Sequence, residues 1–133
     1  MIDHNQLSVA GESHDNDDGT SRQAIIRNCA LGEELKFERE PQNPYDKNAV
    51  RVLRQTGEQI GYLFREDARR VTRLAKKNYK FGGFVSFIGN AENGMLGLCI
   101  ELVEASPDEP ESRIDPYMVE LRERVMTGNI YWP

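Results

Sequence analysis

At 133 residues, 38% hydrophobic and 29% charged, the chain suits one globular domain with a single modest core and requires no second one. No apolar run approaches the ~18 residues of a membrane span, and Met1–Ala10 has neither the basic start nor the apolar stretch of a signal peptide, so a cytoplasmic protein is expected. The net charge of −5 would exclude a polyanionic partner if it were spread evenly, but residues 35–80 hold 12 basic against 6 acidic side chains. Cys29 and Cys99 stand at no metal-type spacing and make no disulfide framework, so both are read as buried free thiols.

In chain order, Leu7–Ser13 alternates Leu7, Val9 and Gly11 with polar neighbours and reads as a first strand. The loop from Asp15 to Gly19 is too charged to pack. Its aspartates lack the glycine spacing and closing glutamate of an EF-hand loop, so no metal is expected there. Thr20 or Ser21 can cap a short helix through Ala30, with Ala24, Ile25 and Cys29 inward. Glu34–Arg39 then alternates Leu35 and Phe37 toward a core as a half-buried strand.

Pro41 and Pro44 follow, and each fixes its own φ and drives the preceding residue out of the helical region, so the chain turns a rigid corner here. Tyr45, Asp46, Lys47 and Asn48 present an aromatic face, a carboxylate, an ammonium and an amide in succession, a set that a fold alone rarely requires. Val50 and Val52 resume the alternation, Gln55–Glu58 supplies turn residues, and Gln59–Phe64 returns as the partner strand. Gly61 in that strand marks a bulge or bend, or a place where a side chain would block a ligand.

Glu66–Asp67 opens a helix to Asn78, with Ala68, Val71, Leu74 and Ala75 on one face and Arg69, Arg70, Arg73, Lys76 and Lys77 on the other. That basic face is either solvated or attracts phosphate. Phe81–Ile88 and Met95–Val103 read as two more strands around a polar turn, with Phe84, Phe87, Leu98, Ile100 and Leu102 filling the interior. Residues 106–114 read as a linker, and Asp115–Pro116 as the start of a C-terminal helix with a Met118, Leu121, Val125 stripe, reaching a tail with Tyr131 and Trp132. The helix and tail, residues 115–133, would fold back on the domain or bind a partner. The expected fold is mainly β with α: a small antiparallel OB- or SH3-like barrel over residues 1–105, two flanking helices and the C-terminal helix.

The string Arg39–Val50 (REPQNPYDKNAV), a hairpin turn, Ile60–Arg65 (IGYLFR) and a basic helix together resemble the signature of the HIRAN domain. That domain is a small β-barrel module found on Swi/Snf-type DNA translocases and as a stand-alone bacterial protein; the likeness runs from Val9 to Val103. The resemblance implies recognition of DNA ends, best described for the 3′-hydroxyl end of a single strand, in repair or fork processing. In the family the pair matching Tyr45 and Asp46 does this work, and the residue matching Arg65 meets phosphate.

The residue chemistry agrees with that implication. Tyr45 offers a flat surface for a base, and a carboxylate at Asp46 within a positive region suits a hydrogen-bond donor such as a terminal sugar hydroxyl. Asn43, Lys47 and Asn48 would complete the pocket, although Asn48 can instead cap the turn, and Tyr62 is equally a candidate barrel residue. Arg65 and Arg69 would meet phosphates. Two departures stand out: Ser13–His14 replaces an Arg-Tyr pair of the eukaryotic translocase version, and Gly94 or Met95 replaces a phenylalanine. His14 would substitute in part by stacking or touching phosphate, or it is simply a surface histidine. No cofactor and no catalytic residue is expected. A metal-dependent nuclease would have to draw on Glu38, Glu40 and Asp46, and the other alternative is a protein-interaction module acting through the C-terminal helix.

Overall fold

Six antiparallel strands close into a barrel in the order β1-β4-β3-β2-β5-β6. In the computed structural model, which describes residues 1–90 and 93–128, these are β1 (Ile2–Ala10), β2 (Glu34–Arg39), β3 (Val50–Arg54), β4 (Gln59–Leu63), β5 (Lys80–Asn90) and β6 (Leu96–Ala105). Helix α1 (Arg22–Arg27) follows β1, α2 (Arg65–Ala75) follows β4, and α3 (Glu111–Met126) follows β6. The barrel closes because β1 pairs with both β4 and β6, from Val9↔Leu63 on one side to Ile2↔Ala105 on the other.

Inward positions of every strand meet in one apolar cluster that includes Val9, Leu35, Val52, Ile60, Val85 and Ile100. Fully burying each such side chain contributes roughly 1.5–3 kcal/mol. Ile26, rather than the expected Ala24, is the fully buried residue of α1 beside Ile25; Ala24 is exposed and donates its N–H to the Ser21 Oγ that caps the helix. Of the two cap candidates Ser21 therefore holds the position, while the Thr20 hydroxyl bonds Asp18. Gly61 is explained by packing, since a Cβ there would lie 2.5 Å from Val9 Cγ1 and 2.6 Å from the Ala10 carbonyl oxygen. The register also slips beside it, with Val52↔Gly61 followed by Leu53↔Gln59, so the glycine flanks a bulge.

Several boundaries depart from the sequence reading. β1 starts at Ile2, not Leu7, and ends at Ala10, because the polar stretch Asp3–Gln6 is held by a ladder to Leu102–Glu104 and beyond that side-chain periodicity alone does not reveal. α1 stops at Arg27 instead of Ala30, and α2 stops at Ala75 instead of Asn78, where Asn78 takes the left-handed conformation (φ 67°). Val85 faces inward, so Phe84 faces outward by alternation, and a bulge between Val85 and Phe87 puts Phe87 on the outer face as well. Phe84 is thus buried beneath α3 with Val103 and Leu121, outside the barrel interior, and Phe87 is exposed.

α3 begins at Glu111, not Asp115, and carries Pro116 inside it. The added first turn is anchored by Lys80–Glu111 at 2.7 Å and Arg113–Glu109 at 3.1 Å. Its expected stripe does pack on its own barrel: Leu121 is buried, and Met118 and Val125 lie against it. Tyr131, Trp132 and part of the β5–β6 turn fall outside the described residues.

Candidate nucleic-acid interface

The corner between β2 and β3 is built by its own polar side chains. Glu40 N–H donates to the Ala49 carbonyl at 2.8 Å, which closes the base of the loop. Inside it, Asn43 Oδ1 accepts from both Tyr45 N (2.9 Å) and Asp46 N (3.0 Å), while Asn43 Nδ2 donates to Glu40 Oε1 at 3.0 Å. Asp46 Oδ1 in turn accepts from Asn48 N at 2.9 Å, an Asx turn that satisfies a backbone donor the prolines leave without a ladder partner. The cap of the corner is therefore Asn43 with Asp46, and Asn48 contributes its backbone. Asp46 keeps a second oxygen that bonds no described residue. Tyr45, beside it, is 87% exposed.

The rest of the barrel end holds this loop in place. Tyr62, opposite both Arg51 and Ala10 in the ladders, donates its hydroxyl to Glu40 Oε1 at 2.7 Å. Burial, and then that bond to Glu40, raises the Tyr62 phenol above its ordinary pKa, so it stays a protonated donor. Its ring lies 5.3 Å from the Arg22 guanidinium carbon, a cation–π contact. Arg22 also donates to the Gly11 carbonyl at 2.8 Å, which ties down the turn bearing the exposed His14. Arg51 lies between Glu38 and Glu40. α2 docks on the other flank, where Thr72 Oγ1 donates to the Asn48 carbonyl at 3.2 Å.

Of the residues singled out from sequence, the structure brings Asn43, Tyr45, Asp46, Lys47 and Asn48 together on one loop, with Tyr62 joined to it through Glu40 and α2 joined through Thr72. Arg65 and Arg69 sit on the exposed side of α2, and His14 sits on the turn after β1. Arg22, Arg51 and Thr72 support the site and were not singled out, and Glu40 was considered only as a carboxylate for a nuclease, since each acts here through a partner distant in sequence. The nearest signal was the placement of Glu40 within the REPQNPYD string.

Electrostatically the loop and α2 form a free positive surface. Lys47, Arg65, Arg69, Arg73, Lys76 and Lys77 are all exposed and enter no ion pair with a described residue. Arg65, Arg69 and Arg73 recur every fourth residue, so they align along one edge of α2. The corner is an open surface; a cavity of about 790 Å³ lies elsewhere, between α3 and the β2–β5 face, lined by Phe37, Phe81 and Met118. An open, charged, aromatic surface suits a polymer better than an enclosed small molecule. Among the described residues no group of three or more His, Cys, Asp or Glu side chains is placed to hold a metal ion, and no helix is long and apolar enough to cross a membrane.

The HIRAN domain family model matches residues 11–102, most of the chain and the whole of this site. The chain belongs to the HIRAN family. Local matches are 49% identical over 42 residues to helicase-like transcription factor of Mus musculus and 53% identical over 34 residues to that of Oryctolagus cuniculus. They cover 32% and 26% of this chain but only 4% and 3% of those proteins. By structure, the chain is similar to the HIRAN domain of human HLTF (TM-score 0.59, 20% identity, covering 95% of this chain and 85% of that one). It is likewise similar to a Lactobacillus plantarum protein (TM-score 0.60, 21% identity, 79% of this chain and 100% of that one). These likenesses establish the fold: a closed OB-like barrel with flanking helices, as the sequence led us to expect.

Proposed function

We propose that this HIRAN domain is a non-catalytic DNA-binding module that recognises the 3′-hydroxyl end of single-stranded DNA. The observation that carries this reading is the arrangement at Asp46. One carboxylate oxygen is held by Asn48 N at 2.9 Å, which fixes the side chain, and the other is open beside an 87% exposed Tyr45. A fixed carboxylate on a positive surface repels an internal phosphate and accepts a bond from a terminal hydroxyl, so it selects an end over the middle of a strand. Tyr45 would stack the last base. Asn43 would keep both residues in place, and Lys47, Asn48 and Tyr62 would shape the pocket. Arg65 and Arg69 would meet the phosphates that follow, with His14 at the rim. The helicase-like proteins that share this domain fit a role in DNA processing.

The test compares oligonucleotides of one sequence ending in a 3′-hydroxyl or a 3′-phosphate, at two salt concentrations. Affinity should fall as salt rises, because phosphate contacts release counterions, and the hydroxyl end should be preferred at least ~10-fold. Salt-independent binding or equal affinity for both ends would overturn the reading.

A further inference from the structure

We propose that Phe64 is a second base-stacking surface of this site, so that the bound strand continues from the Tyr45 corner across Phe64 toward the arginine edge of α2. This rests on the DNA-binding reading above. Phe64 is the N-cap residue of α2, with φ −60° and ψ 154° and no side-chain cap hydrogen bond. Ser, Thr, Asp or Asn at this position would accept from a first-turn N–H and stabilise the helix. The chain instead places there a phenylalanine that is 52% exposed and belongs to neither apolar cluster. Helix capping therefore gives no reason for the ring.

Its location supplies one. β3 and β4 pair through Arg51↔Tyr62; continuing that register two residues outward sets Phe64 across from Ala49, where the corner rejoins the barrel. Ala49 lies four positions after Tyr45, so the two aromatic residues are at most ~20 Å apart along the loop and across the strand gap. Arg65 follows immediately, and Arg69 and Arg73 lie beyond it on the same edge of the helix. An aromatic face next to a line of free cations is the pairing that holds a single strand without reading its sequence. The other exposed phenylalanine, Phe87, has a local explanation, because its ring covers Gly89 on the β5–β6 hairpin.

The experiment uses the full chain and 3′-hydroxyl oligonucleotides carrying 2-aminopurine at successive positions from the end. In the parent, two positions should be quenched by stacking, the terminal one at Tyr45 and an interior one at Phe64. Phe64→Ser should abolish the interior quench and weaken binding roughly tenfold while raising Tm by about 3–5 °C through the restored cap. Phe64→Tyr should keep both affinity and quench, and Phe64→Leu, which retains apolar bulk, should lose them. If Phe64→Ser binds as the parent does with the same quenching pattern, the proposal is overturned, and a parent that still prefers the hydroxyl end leaves the end-recognition reading standing. If the parent does not distinguish the two ends yet Phe64→Ser weakens binding, the stacking proposal holds and end recognition fails. A parent that binds no single strand overturns both.

Discussion

Replacing Asp46 separates its two structural jobs. Its Oδ1 accepts from Asn48 N at 2.9 Å and thereby holds the corner, while its second oxygen bonds no described residue. Asp46→Asn keeps an oxygen for the Asn48 bond and removes the charge; Asp46→Ala removes both. A hydrogen bond to a charged group contributes roughly 1.5–3 kcal/mol, equivalent to about 10–150-fold in affinity. The local bond to Asn48 is worth about 0.5–1.5 kcal/mol of stability, a few degrees of Tm for a domain of this size. Anisotropy titrations of 5′-labelled strands ending in hydroxyl or phosphate then give a gap between ends for each protein. The parent gap should exceed tenfold, and Asp46→Asn should shrink it by weakening the hydroxyl end and relieving the phosphate end, with Tm nearly unchanged. Asp46→Ala should shrink it similarly and also lower Tm. If Asp46→Asn leaves the gap intact, or both variants change stability without narrowing the gap, Asp46 serves the loop alone and the end-recognition argument fails.

Three further outcomes follow from the geometry. Arg65→Ala should weaken binding alike for all sequences and reduce the magnitude of the salt slope by about 1; a changed base preference would mean that Arg65 reads a base edge. Asn43→Ala removes the bonds from Tyr45 N and Asp46 N and the one to Glu40, so it should lower stability by about 2–3 kcal/mol and erode end discrimination with it, which denaturant melts and the two-ended titration both read. The Cys29 thiol is pushed up to about 11 by burial first and by the nearby Glu33 second; alkylation at pH 8 should therefore be slow in the folded protein, rise with pH, and become fast in denaturant. Rapid native labelling, located by mass spectrometry, would contradict that burial.

The barrel was legible where side chains carry the pattern. β2 alternates Leu35 and Phe37 within the bounds its sequence suggests, and the Val50–Val52 and Gln59–Leu63 hairpin follows from its turn residues. It was hidden where backbone pairing carries the structure: Asp3–Gln6 has no apolar alternation, and the bulge after Val85 moves Phe87 to the outer face. At the site, the corner could be read because two prolines constrain it locally. The Arg22–Tyr62–Glu40 brace could not, since it joins residues from three elements whose neighbourhood only the closed barrel defines.

The charge pattern explains how a protein of net charge −5 can present a surface for a polyanion. Ion pairs absorb Arg51, Arg54, Arg70, Lys80, Arg113 and Arg122 among others, and these cations brace the barrel and helices. Lys47, Arg65, Arg69, Arg73, Lys76 and Lys77 enter no ion pair with a described residue and lie on the corner, on α2 and just past its end, where Asp46, Glu66 and Asp67 are the acids outside ion pairs. Elsewhere, exposed acids dominate: Asp15, Asp17 and Asp18 in the loop before α1, and Asp115, Glu120 and Glu123 on α3. A strand approaching those faces is repelled, and one approaching α2 is drawn in, so the acidic remainder orients the encounter while limiting its strength. Within that positive surface the Asp46 carboxylate is unfavourable to every nucleotide except one that brings a hydroxyl in place of a phosphate. On the function proposed above, a weak, salt-sensitive attraction along α2, joined to a local repulsion at the corner, would discriminate an end from the middle of a strand without any base being read.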